Sequence, residues 1–139
     1  MRKGFIHLAV HAMIEPVMAL LLILAPFIFG FSDNSTATIV SIAAGVIVLG
    51  TGMSTRWSLS LVKLIPLDVH KMLDLGLGVL LILSPFVLGF SDESAPTIFL
   101  IVVGLGEIVA ALATNWHPEN DLVADNRGVE RQHVFVEAD

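Results

Sequence analysis

The chain has 139 residues, of which 55% are hydrophobic and 14% charged, with a formal charge of −6 and a mean hydropathy of +0.87. A soluble domain carries about 45–50% apolar and about 25% charged residues, so a soluble enzyme and a disordered chain are both excluded. The absence of cysteine removes disulfide scaffolds, thiolate metal sites and cysteine nucleophiles, and seven scattered Lys and Arg residues give nucleic acid no basic surface.

Between Phe5 and Thr114 the apolar residues form four blocks, at about 5–29, 37–55, 69–88 and 96–115. A bilayer core about 30 Å thick is crossed by roughly 20 apolar residues in a helix. Backbone groups in lipid must be paired within the segment, and continuous apolar runs lack the alternation of a barrel strand. The expected fold is therefore an all-α membrane protein with four transmembrane helices. The first block follows Met1-Arg2-Lys3 but is too long for a signal peptide, and it contains His7, His11 and Glu15.

The block's internal relative reinforces that reading. A shift of 59 residues aligns Val10–Trp57 with Val69–Trp116, and about 20 of the 48 paired positions are identical. His11 meets His70, Met13 meets Met72, Glu15 meets Asp74, Gly45 meets Gly104 and Trp57 meets Trp116. Each copy holds two spans, so the chain is two tandem parallel helical hairpins related by an axis along the membrane normal. Residues 1–57 form the first hairpin, 58–68 an interfacial linker, 69–116 the second hairpin and 117–139 a polar tail, with His133-Val134-Phe135-Val136 as a candidate docking strand.

Within each hairpin, Pro26 and Pro85 bend the last turn of a helix, and Gly30 and Gly89 provide its left-handed end. Phe31 and Phe90 follow as apolar caps. Ser35 and Ser94, with Asp33 and Asp92, are available to cap the next helix, and Pro96 suits its first turn. The basic residues Arg2, Lys3, Arg56, Lys63 and Lys71 all fall on one side, which makes both termini and the linker cytoplasmic. Trp57 and Trp116 are then expected at the cytoplasmic interface.

The segment Leu83-Ser84-Pro85-Phe86-Val87-Leu88-Gly89-Phe90-Ser91 and its counterpart Leu24–Ser32 resemble the SPW-repeat family of small bacterial membrane proteins. The resemblance covers roughly 10–115, with Phe27 and Phe86 in place of the motif tryptophan. It implies a four-helix protein of the bacterial inner membrane and implies no activity.

His7, His11 and Glu15 are four residues apart and share a helix face, and His70 with Asp74 repeats the lower pair. Such residues can form polar pairs, ligate a metal, or bind a haem or pigment through His7, His11 or His70. Proton or ion handling is a further reading. Glu107 lies near mid-span in the fourth helix opposite Val48 of the other copy, where a carboxylate either pairs with His11, His70 or Lys71 or serves transport or binding. Ser41–Gly45 and Gly106–Ala110 are small-residue seams. With no nucleophile–base pair, phosphate loop or dinucleotide fingerprint, the expectation is an accessory subunit rather than an enzyme. It would contact the bilayer and associate with itself or a larger membrane complex. The alternative is a small cofactor-binding or ion-handling protein, with no particular cofactor named.

Overall fold

The computed structural model describes residues 4–117; the tail expected after Trp116, including its candidate docking strand, lies outside them from residue 118 onward. Strand β1 (Ile6–His7) leads into α1 (Leu8–Ile28), followed by α2 (Ser35–Ser54), α3 (Leu67–Val87), α4 (Ser94–Ala113) and β2 (Thr114–Asn115). All four helices are long and apolar enough to cross a membrane. Large apolar side chains such as Val17, Ile39, Leu80 and Val102 point outward on all of them. The inside-out distribution is that of a protein whose solvent is lipid.

The helices start and stop within about three residues of the sequence expectation. The first span begins at Leu8 because Ile6 and His7 pair in parallel with Thr114 and Asn115, which holds the chain extended there. Its repeat equivalent is a bridge between Thr55 and Ile65. The lead into each hairpin thus pairs with the end of the other, and the repeat extends upstream of Val10.

Both hairpin turns follow the expected chemistry. Gly30 (φ 71°) and Gly89 (φ 76°) occupy the left-handed region, and the amides of Phe31 and Phe90 reach back to the carbonyls of Pro26 and Pro85, each at 2.9 Å. Phe31 and Phe90 are buried beneath the turns. The capping differs from expectation. Ser35 and Ser94 are already the first helical residues, and Asn34 caps α2 by accepting from the Ala37 amide at 2.9 Å. Across the axis, Asn34 also donates to its repeat counterpart Glu93 at 2.6 Å, tying the two turns together.

Inside each hairpin the helices touch backbone to backbone. A Cβ added at Gly45 would lie 2.7 Å from the Ala19 carbonyl oxygen, and one at Gly104 would lie 2.6 Å from that of Gly78. These are equivalent crossings, so the Ser41–Gly45 seam serves the first hairpin's own packing. Gly106 is different, being exposed with open space where a side chain would go. Packing is dense within hairpins and sparse between them.

Pro26 and Pro85 each remove the amide that would satisfy a carbonyl one turn earlier, a serious loss in lipid. In the second hairpin Ser84 donates its hydroxyl to the freed Leu81 carbonyl at 2.8 Å. The first hairpin has Ala25 at that place, and Ser41 of α2 reaches across to the freed Leu22 carbonyl at 2.6 Å instead. Ser41→Ala is expected to destabilise the protein by about 1–3 kcal/mol, the cost of an unsatisfied buried carbonyl. Adding Ala25→Ser should recover most of the loss in thermal unfolding of detergent-solubilised protein; an unchanged melting temperature in the single variant would contradict this account.

Candidate metal centre

Four side chains meet at the end of the bundle that carries both described chain ends and the linker. His11 and Glu15 lie one turn apart on α1, and His70 and Asp74 lie one turn apart on α3. All four are at most 4% exposed. His11 Nε2 is 3.3 Å from Glu15 Oε1 and 3.2 Å from Asp74 Oδ2. His70 Nε2 is 3.6 Å from the same Glu15 oxygen and 3.2 Å from Asp74 Oδ1. One donor atom from each residue falls in a set no more than 4.8 Å across. The sequence repeat placed these pairs correctly, and the fold brings both onto one point rather than leaving two separate pairs.

The hydrogen bonds behind the imidazoles fix what they present. Thr55 Oγ1 is 2.6 Å from His70 Nδ1, and Thr114 Oγ1 is 3.0 Å from His11 Nδ1. Each hydroxyl has a single proton and gives it to the carbonyl four residues earlier, of Thr51 at 2.6 Å and of Ala110 at 2.7 Å. The threonine oxygens must therefore accept from Nδ1–H, so in the neutral ring Nε2 is the atom with the lone pair. Both lone pairs face carboxylates. His11 Nε2, His70 Nε2, Glu15 Oε2 and Asp74 Oδ2 are all buried without a hydrogen-bond partner among the described residues. Positive charge is needed at the centre, as shared protons or as a cation.

Two tryptophans close the site. Trp57 lies 4.6 Å from the His70 ring and 5.9 Å from His11, while Trp116 lies 4.9 Å from His11 and 5.7 Å from His70. Their indole N–H groups donate to the carbonyls of Gly52 and Ala111, again equivalent positions. Trp57 is 2% exposed, and it walls the histidines at the end of the bundle. Opposite Glu15, a Cβ on Gly52 would meet Oε2 at 3.1 Å, and the longer acid faces the smaller residue. The shorter Asp74 belongs to the copy with Ala111.

Other expected site residues fall elsewhere. His7 is exposed in β1, because strand pairing ends the helical periodicity that would have stacked it on His11. Glu107 is buried, but it lies six residues from the end of α4, about 9 Å deep at 1.5 Å per residue, rather than at mid-span. That puts it level with Glu15. The histidines' ion-pair contacts go to Glu15 and Asp74, and neither they nor Lys71 pair with Glu107 among the described residues. Thr55, Thr114 and Gly52 were not singled out from sequence; the identity of Thr55 and Thr114 under the 59-residue shift was the available signal.

Imidazoles whose Nε2 atoms lie 3.3 and 3.6 Å from one carboxylate oxygen stand too close for a macrocycle between them. The fold and this centre define a multi-pass membrane protein built from two helical hairpins around a candidate metal site. Residues 9–114 match the SPW repeat domain, and the chain belongs to that family. No curated protein and no solved structure matches it.

The threonines give a direct test. Thr55→Val leaves His70 Nδ1–H buried and unpaired, and is expected to cost about 1–3 kcal/mol in thermal unfolding. Thr114→Val should cost a similar amount at His11. Two silent valine substitutions would remove the threonines from the site.

Proposed function

We propose that the protein is a small membrane subunit that holds one divalent transition-metal ion between its two hairpins, in a binding rather than a catalytic role. The observation carrying this reading is the convergence of two buried imidazole Nε2 atoms and two buried carboxylates, one from each hairpin, with one donor atom from each residue in a set no more than 4.8 Å across. Ligands on a tetrahedral ion at about 2.0–2.1 Å stand about 3.4 Å apart, so the imidazole–carboxylate contacts of 3.2–3.6 Å are of the right size, and a donor set up to 4.8 Å across would draw in by about an ångström on binding. Two carboxylates balance a double positive charge, which matters where net charge is costly. Imidazole with carboxylate suits zinc, cobalt, manganese or iron rather than soft copper(I). Four protein donors form a closed set, the pattern of structural rather than hydrolytic ions, and this supports a non-enzymatic role. The threonine–imidazole bonds supply the outer partners that metal-bound histidines need.

The bound ion would add a clamp where the two hairpins otherwise touch sparsely, opposite the Asn34–Glu93 contact. The apolar outer faces remain available to lipid, to further copies or to other membrane subunits. We further propose residence in a bacterial inner membrane with termini and linker cytoplasmic, on the strength of Arg56, Lys63 and Lys71 at the centre's end and acidic residues at the turns.

Protein stripped with a chelator and titrated with Co²⁺ should bind one ion per chain with a ligand-field spectrum of low symmetry. His11→Ala and His70→Ala should each abolish it. At about 100 times Kd the ion is expected to add about 2.7 kcal/mol of stability. Absence of cobalt binding by folded protein would favour a ring of shared protons. For the orientation, single cysteines at Ser35 and Ser94 should be labelled from outside intact cells; protection of both would reverse the topology.

A further inference from the structure

The two copies diverge most sharply at one buried position. Val48 of α2 packs into the apolar core, whereas its equivalent on α4 is Glu107. Glu107 is 5% exposed and takes part in no hydrogen bond or ion pair among the described residues. It lines a cleft of about 290 Å³ between α1 and α4, together with Ile6, Ile14, Glu15, Met18 and Ala110. Ile6 sits in the strand pair at the end of the bundle, so the cleft reaches from that end down to the level of Glu15. Glu15 is itself a donor of the centre. Gly106 also lines the cleft, and a side chain at that position would have open space to occupy. The other seam, between α2 and α3, has a groove lined by Val40, Ala44, Ile47, Leu77 and Ser84 among others, with no charged residue.

We infer that the α1/α4 cleft is the route by which the divalent cation reaches the buried centre, with Glu107 as the carboxylate that receives it and passes it to Glu15. This rests on the metal-holding reading above. A divalent ion crossing an apolar wall loses its hydration at great cost unless an anion meets it on the way. A carboxylate already committed to a salt bridge could not serve; among the described residues Glu107 makes none. Glu15 spans cleft and centre, so one residue links the receiving position to the holding one. The tryptophans cover the end of the site, and Val48 blocks the equivalent position on the opposite seam. Loading is one-sided because the duplication is imperfect there.

The test separates rate from affinity. Chelator-stripped full-length protein in detergent is mixed with Co²⁺ and the ligand-field absorbance is followed in time. Glu107→Gln is expected to slow loading about tenfold or more, as loss of a steering charge does, with the final stoichiometry of one ion unchanged. Glu107→Asp should restore much of the rate, and Gly106→Leu, which fills the cleft without touching a donor, should slow loading in the same way. Glu93→Gln, at the far turns, should load at the wild-type rate. Equal rates for wild type and Glu107→Gln would overturn the route, and so would loss of the bound ion at equilibrium, which would make Glu107 a ligand. Failure of the wild-type chain to bind cobalt at all would instead overturn the metal-holding reading.

Discussion

Lone pairs and carboxylate oxygens repel when they are crowded together away from water, and this bundle crowds four such groups at one point. In a low-dielectric interior that repulsion is not screened, so positive charge has to be drawn in or the helices must part. The surrounding construction follows from that demand. Threonines occupy the far side of each imidazole and turn Nε2 inward, and indoles cover the rings. The carboxylates come one from each hairpin, so whatever satisfies the centre also joins the hairpins.

The same tension between burial and polarity explains how the two repeats differ in sequence while sharing one fold. The carbonyl freed by Pro85 is served by Ser84 next to it; the one freed by Pro26 is served by Ser41 from the neighbouring helix. The requirement is fixed, and the residue meeting it is not. Size is traded in a similar manner at the centre, where Glu15 stands against Gly52 and Asp74 belongs with Ala111. Each exchange conserves a physical quantity, a satisfied acceptor or a filled volume, while changing the sequence.

Much of this was legible in the sequence because lipid leaves few alternatives. Four apolar blocks, a 59-residue self-match and glycines after the prolines determine spans, hairpins and turns, and the spacing of four put His11 with Glu15 and His70 with Asp74. Convergence of the two pairs was not legible, since hairpin separation depends on how α1 and α3 approach across an axis that no local pattern encodes. His7 was misjudged because helical periodicity was carried through a segment whose amides pair with Thr114 and Asn115. An indole at an interface does not announce that its N–H is bound by the Gly52 carbonyl or that its ring covers the histidines. Small residues at Ser41 and Gly45 announce close approach without saying to which helix, and the helix proved to be the hairpin's own partner.

Each repeat lends its last residues to the other's beginning: Thr114 backs His11 and pairs with Ile6, while Thr55 backs His70 and pairs with Ile65. Neither hairpin is complete alone. A chain of one hairpin could build the same centre only by meeting a second copy of itself about a true two-fold axis. In such a dimer every residue appears twice, so a carboxylate beside the centre would have come as two or not at all. Two repeats in one polypeptide are free of that restriction. The difference between Val48 and Glu107 is an asymmetry that two identical copies of one hairpin could not carry.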